Sequence, residues 1–297
     1  MARTRETYDI RGRTVLITGA ARGIGFEAAR RLYAHGANLS LVGLEPELLE
    51  QRASELGPRA AAFEAEVTDW DALQGAVDGT VEHFGGIDVT IANAGLGAVG
   101  SVMGQDIASF ERTIEVNLLG VWRTNRVVLP HVVERRGYIL NIASLAAIAH
   151  APLMAPYTAS KAGVEAFSDA LRQELAPTGT DVGVAYFGFI DTDLVRDSFD
   201  HPATTHMRQK AGDNAFTRPI PLSRAGDAIE QGVLHRARHV QAPRWVAAMR
   251  VARGMIDLLP PSLTTGKPHD IAEAVRLADT ADHPASRVAP KYERAPR

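Results

Sequence analysis

Thr18-Gly-Ala-Ala-Arg-Gly-Ile-Gly25 is the stretch on which the reading of the chain turns. It follows the apolar, β-branched run Thr14-Val-Leu-Ile-Thr18 and precedes a helical period from Phe26 to His35, with Gly36 where a helix would stop. A glycine cluster between a strand and a helix means more than flexibility. Gly19 permits a tight turn, Gly23 lets a phosphate approach the backbone, and Gly25 lets helix and strand pack closely. The helix N-terminus then offers N–H groups and positive dipole to a pyrophosphate. The G-x-x-x-G-x-G spacing differs from the commoner G-x-G-x-x-G, and a glycine-rich turn without a ligand has the same look, so the rest of the chain must arbitrate.

Outward from this turn, short apolar runs alternate with helical periods. Strands are expected at Ala37 to Val42, Ala60 to Val67, Ile87 to Ala92, Tyr138 to Ala143 and Asp181 to Phe187, giving six before residue 190. Helices are expected over Glu45 to Leu56, from a Thr68-Asp69 cap to His83, over about 105–116 and 119–135, and over Pro156 to Leu175. This is the pattern of stacked βαβ units: an α/β, doubly wound, mainly parallel sheet with helices on both faces. Residues 191–223 show no period and carry Pro202, Pro219 and Pro221, so they read as a long mobile lid. Arg224 to His239 reads as a helix and Val240 to Val246 as a seventh, edge strand. Residues 247–297, with Pro260-Pro261 and Pro284, read as a C-terminal appendage ending in a frayed tail. No repeat or linker divides residues 1–297, so one domain is expected.

Composition excludes several classes. Hydrophobic residues are 45% and charged residues 23%, ordinary for a globular chain, and a net charge of −3 gives no basic excess for nucleic acid. With Cys 0 there is no disulfide framework, thiolate nucleophile or cysteine metal site. The start MARTRETYDI lacks an apolar signal core, and no stretch approaches the ~18 apolar residues of a membrane span. A cytoplasmic protein without an integral membrane segment is expected. The pairs His201 and His206, and His235 and His239, have spacings a metal accepts, yet no carboxylate stands in register, so they read as surface histidines and no metal is expected. Trp245, Met249, Ala252, Ile256 and Leu259 form a helical stripe flanked by Arg244, Arg250 and Arg253. It reads as a packing face rather than a membrane-surface helix.

A second constellation carries chemistry. Tyr157 and Lys161 lie four apart on an expected helix, hence on one face. An ammonium favours the phenolate of a neighbouring tyrosine, so the pair offers a proton donor and acceptor to a carbonyl or alcohol. Ser144 falls just past an expected strand, where open α/β sheets place their ligands.

With Asn93-Ala94-Gly95 after the fourth strand, Asn117 in a helix and Gly188-Phe-Ile-Asp-Thr192, these motifs stand in an order that resembles the short-chain dehydrogenase/reductases over about residues 12–240. The resemblance implies a Rossmann-like seven-stranded sheet, NAD or NADP as cofactor, and hydride transfer between a carbonyl and an alcohol. Tyr157 would be the general acid/base, Ser144 would hydrogen-bond the substrate oxygen, Lys161 would bind the nicotinamide ribose and depress the Tyr157 pKa, and Asn117 would hold a relay water. Gly19, Arg22, Gly23, Ile24, Gly25, Glu45, Val67, Asn93, Ala94 and Gly95 would hold the adenosine side, and Gly188, Ile190 and Thr192 the nicotinamide end. A homo-oligomer, dimer or tetramer, is also implied. Hydride chemistry belongs to the cofactor; the protein supplies orientation, a proton path and donors aimed at the developing alkoxide.

The chain departs from the family pattern in three places. Phe187 stands where a proline usually precedes Gly188. Val42-Gly43-Leu44-Glu45 lacks both the usual acidic NAD determinant and the usual arginine for NADP. Arg22 offers a guanidinium fork to a 2′-phosphate, whereas Glu45 accepts from a free ribose hydroxyl and repels that phosphate; the balance favours NAD. Ala242-Pro-Arg-Trp245 replaces the glycine pair that often follows the last strand, which weakens the case for a tetramer.

The resemblance places Leu145, Ala146, Met154 and Phe189 at the nicotinamide end, and the lid adds Leu194, Phe199, Met207 and Phe216. Such a set suits a bulky apolar ketone or alcohol, since a sugar or carboxylate would forfeit hydration without a partner. A dinucleotide-binding regulator without turnover, or an epimerase or dehydratase, is the alternative. The complete Asn117, Ser144, Tyr157 and Lys161 set favours the oxidoreductase.

Overall fold

A computed structural model describes residues 7–256, 258 and 266–286. Seven strands form one sheet: β1 (Thr14–Thr18), β2 (Asn38–Gly43), β3 (Ala60–Glu64), β4 (Val89–Ala92), β5 (Tyr138–Ile142), β6 (Asp181–Phe187) and β7 (His239–Ala242). Their order is β3-β2-β1-β4-β5-β6-β7 and every pairing is parallel. β1, β4 and β5 are buried at every residue, which is why they read as continuous apolar runs rather than alternating ones.

Alternation along β1 sorts the two faces. Val15 and Ile17 point to the side covered by α1 (Gly23–Ala34), α2 (Pro46–Leu56) and the later helix Leu222–Leu234, through Leu32, Leu49 and Ile229. Leu16 points to the opposite side, covered by α3 (Trp70–Phe84), α5 (Gly120–Glu134) and α6 (Ala155–Leu175), through Val77, Val128 and Leu171. The doubly wound parallel sheet is thus the fold expected. Asp69 caps α3 by accepting from the Ala72 N–H at 2.9 Å, as its position suggested. Between them lies α4 (Ile107–Ile114), which runs into α5 through a π-helical turn over Glu115–Leu119. The strand order reverses between β1 and β4, so the crevice beyond their carboxyl ends is where such a sheet binds ligands.

The segment 191–223, in which the sequence shows no period, is nevertheless partly helical. It contains α7 (Asp193–Asp200) and α8 (Pro202–Ala211). Pro202 occupies the first turn of α8, where its missing N–H costs nothing, and so starts a helix instead of breaking one. Thr192 and His201 serve as N-caps, the His201 Nδ1 accepting from the Ala203 N–H at 3.2 Å. His201 is therefore fully buried, not a surface histidine, and burial beside His283 holds its pKa below the ordinary range. The following helix, α9 (Leu222–Leu234), stops short of His239 because Arg236 takes a left-handed backbone (φ 47°) and the chain enters β7.

After β7 the chain turns at once into α10 (Trp245–Ile256), so the seventh strand is shorter than Val240 to Val246. Trp245, Val246 and Met249 pack against Val184 and Tyr186, whereas Val251 and Met255 face outward. Leu259, at the end of the apolar stripe, and Pro260-Pro261 lie outside the described residues. Within the expected C-terminal appendage, α11 (Pro268–Thr280) and a 3₁₀ turn at Pro284–Ser286 are built into the fold, and the tail beyond residue 286 lies outside the described residues. Ala274 and Ala278 bury against Val99, Leu153 and Ala203, Val99 donates to the Ala285 carbonyl at 2.7 Å, and the His201 Nε2 lies 2.9 Å from the Ser286 Oγ. Pro284, read as a mark of irregular chain, opens a helical turn, as does Pro268. No described helix is long and apolar enough to cross a membrane.

Candidate active site

The glycine turn forms the floor. Gly19 has φ 65°, and a methyl group there would stand 2.9 Å from the Ala94 Cα; one on Gly25 would collide with the Gly19 carbonyl oxygen. These glycines let α1, β1 and the β4 loop close on one another. Gly23, in contrast, faces open space: a methyl there meets only the Thr192 Cγ2, at 3.7 Å. The N-terminus of α1, where Ile24 sits, carries no side-chain cap and no acidic residue in its first turn. A backbone cradle with room above Gly23 and an uncapped helix dipole suits a pyrophosphate. Asn93 secures the cradle, its Nδ2 donating to the carbonyls of Thr18 at 3.0 Å and Gly19 at 3.1 Å. The Asn93 and Ala94 N–H groups both donate to the Thr18 hydroxyl. Val67 packs beside them with Leu96 and Val116.

Arg22 and Glu45 stand at the carboxyl ends of β1 and β2, as the N-caps of α1 and α2. They are bound to each other: the Arg22 Nε donates to the Glu45 Oε2 at 3.1 Å, and a second, shorter bond joins Nη2 to Oε1. The two opposed cofactor determinants thus form one ion pair, which spacing in the sequence did not reveal.

Beyond β5, Ser144 caps a 3₁₀ turn at Leu145–Ala147, accepting from the Ala146 N–H at 3.1 Å, and its own hydroxyl reaches the Phe187 carbonyl at 3.4 Å. Tyr157 lies in the first turn of α6. Burial raises the Tyr157 pKa, and the Ser144 hydroxyl partly offsets that rise. Lys161 is the cation on the same helix face. Its Nζ, buried 5.7 Å from the Tyr157 ring centroid, donates to the Ile142 carbonyl at 2.9 Å, and burial pushes the lysine itself down to about 8.

Asn117 sits fully buried in the π-helical turn. Its Oδ1 accepts from the Leu96 N–H and its Nδ2 donates to the Leu96 carbonyl, both at 2.8 Å, and also to the Ser160 Oγ at 3.2 Å. Ser160 in turn donates to the Tyr157 carbonyl at 2.7 Å. This serine links Asn117 to the helix that carries Tyr157 and was not singled out in the sequence; its position just before Lys161 was the available signal. A methyl on Gly95 would stand 3.3 Å from the Asn117 Oδ1 and 3.5 Å from the Lys161 Nζ, and one on Gly97 would stand 3.5 Å from the Tyr157 ring. Asn117, Tyr157, Lys161 and the 95–97 loop therefore converge.

On the other wall, Gly188 donates to the Ala242 carbonyl and Ile190 bridges to Ile220. Thr192, over Gly23, caps α7. Phe189 meets Phe199 edge to face with centroids 4.9 Å apart. Leu145 packs beside Ala147 and Ile148, and Met154 stands at the start of α6. Leu194 is partly exposed above Gly97, Phe216 leans on Trp245 at 4.8 Å, and Met207 turns to the α11 contact with Ala274. Helix α11, which the sequence did not reveal, packs on α8 and on Val99 and Leu153.

Comparison with known proteins gives a concordant picture. Residues 13–203 match the family model of the short chain dehydrogenases. The chain is 34% identical over 224 residues to nodulation protein G of Rhizobium sp. (strain N33), covering 75% of this chain and 87% of the relative. It is 31% identical over 244 residues to 11-beta-hydroxysteroid dehydrogenase 1A of Arabidopsis thaliana, covering 79% and 69%. In fold it is similar to a short chain dehydrogenase/reductase from Burkholderia phymatum solved in complex with NAD, with a TM-score of 0.72, 22% identity and coverage of 84% of this chain and 96% of that one.

Proposed function

The chain belongs to the short chain dehydrogenases, an oxidoreductase family, and on that footing we propose that it interconverts a ketone and a secondary alcohol on a bulky apolar molecule, with Tyr157 as general acid/base. The observation that carries the reading is the convergence of Tyr157, Ser144 and Lys161 above a cradle fitted to a pyrophosphate. A nicotinamide dinucleotide, NAD or NADP, supplies or accepts the hydride when bound. Gly19, Gly23, Ile24 and Gly25 would hold its pyrophosphate, Val67, Asn93, Ala94 and Gly95 its adenosine side, and Lys161, Gly188, Ile190 and Thr192 its nicotinamide end.

In alcohol oxidation the Tyr157 phenolate takes the hydroxyl proton; in carbonyl reduction the Tyr157 phenol returns it. Ser144 donates to the same oxygen and keeps it beside the phenol. Asn117 and Ser160 fix the Leu96 backbone and the first turn of α6, so the proton path keeps its geometry. The test is a homologous series of uncharged ketones and alcohols with each cofactor, followed by nicotinamide absorbance. Catalytic efficiency should climb with apolar size, and a preference for small or polyhydroxylated substrates overturns the pocket reading.

The pH dependence has a definite sign. Oxidation requires the phenolate and so rises with pH, whereas reduction requires the phenol and falls. Because burial raises Tyr157, reduction should persist into the alkaline range. Lys161 carries its charge only below about 8, so the oxidation profile should show an inflection there. Lys161→Ala should remove that inflection and move the rising limb to higher pH; identical profiles for the two proteins contradict any coupling.

A further inference from the structure

We infer that the substrate's apolar body ends in a carboxylate and that Arg208 of α8 receives it, an inference that rests on the reading of Ser144, Tyr157 and Lys161 as the reacting end. The Ser144 hydroxyl reaches the Phe187 carbonyl, and two residues further on Phe189 begins an aromatic path. Its ring meets Phe199 at 4.9 Å, and the Arg208 guanidinium carbon lies 3.8 Å from the Phe199 centroid. Two aromatic rings and a cation thus follow one another on the segment that leaves β6 beside Ser144.

Arg208 differs from the other cations of segment 191–223. Arg196 is paired with Asp191 at 2.8 Å, Lys210 with Asp270 at 3.3 Å and Arg218 with Asp213 at 2.7 Å. Among the described residues Arg208 makes no hydrogen bond and no ion pair within 4 Å; the Asp213 carboxylate feels its charge but is itself bound to Arg218, and the Arg208 Nε is buried. A buried N–H without an acceptor is costly, and a planar guanidinium matches a carboxylate with two parallel bonds. The ring beneath supports the charge without using its in-plane donors. The composition of the pocket argued against a carboxylate for want of a partner, and Arg208 is such a partner. The alternative, that the arginine stem merely covers Phe199, makes the opposite forecast for a substitution that keeps the stem.

The experiment titrates the full chain calorimetrically with decanoate and with decanol, both below their aggregation range. Decanoate should bind roughly tenfold or more tightly than decanol, as a charge-assisted hydrogen bond would give. Arg208→Met should erase that preference while leaving decanol unchanged, Arg208→Lys should restore part of it, and Tyr157→Phe should not affect it. Absence of decanoate binding, an equal affinity for decanol, or a preference that survives Arg208→Met overturns the assignment. Neither ligand is a ketone, so these outcomes are independent of turnover. A chain that binds decanoate through Arg208 but turns over no ketone or alcohol keeps the anion site and loses the oxidoreductase reading.

Discussion

Tyr157→Phe is expected to keep dinucleotide binding and to lose turnover by ~10²–10⁴-fold, the usual contribution of a positioned acid/base group. The substitution removes one hydroxyl. The cradle depends on Gly19, Gly25 and the Asn93 bonds to Thr18 and Gly19, none of which touches that hydroxyl. The ring stays beside Gly97, and Ser144 keeps its contacts with the Ala146 N–H and the Phe187 carbonyl, so the site should not collapse. Quenching or transfer of nicotinamide fluorescence measures binding, and absorbance measures turnover. A variant with near wild-type rates removes Tyr157 from the mechanism, whereas loss of binding as well as rate means that the side chain was structural.

Much of this arrangement was legible in the sequence because its signals are local. The glycine turn lies between one strand and one helix, and Tyr157 and Lys161 share a helix face by spacing alone. The hydrophobic alternation of β1 sorts the two layers of helices. What escaped depends on contacts between distant segments. Pro202 and Pro284 looked like breaks because a proline's effect depends on whether it falls inside a helix or at its start. His201 looked exposed because its burial requires the Pro284–Ser286 turn to return over it, with Ser286 standing 85 residues later in the chain. The state of Tyr157 is tertiary for a related reason: helical spacing brings an ammonium near, but the enclosure that raises the phenol and lowers the lysine comes from the sheet ends and the 95–97 loop.

Cofactor discrimination should respond to Glu45 and Arg22 in opposite directions. In the structure the Arg22 fork is held by the Glu45 carboxylate across the carboxyl ends of β1 and β2, where a dinucleotide's adenosine ribose lies in sheets of this kind. Glu45→Gln removes the carboxylate that would repel a 2′-phosphate and at the same time frees the guanidinium to bind it. Charge-assisted hydrogen bonds contribute about 1.5–3 kcal/mol each, so the preference ratio of NADP over NAD should rise by roughly ten- to a hundredfold. Arg22→Gln frees the carboxylate instead. It should accept from the ribose hydroxyls of NAD and repel the phosphate of NADP, so the ratio should fall. The pair is partly exposed, and salt therefore weakens both effects. Dissociation constants of the two cofactors for the wild type, both variants and the double variant give the ratio and its coupling term directly. Movement of both single variants in the same direction means that one of the side chains does not face the ribose. An unchanged ratio in both means that the ion pair only ties α1 to α2, and the expected balance toward NAD then loses its physical basis.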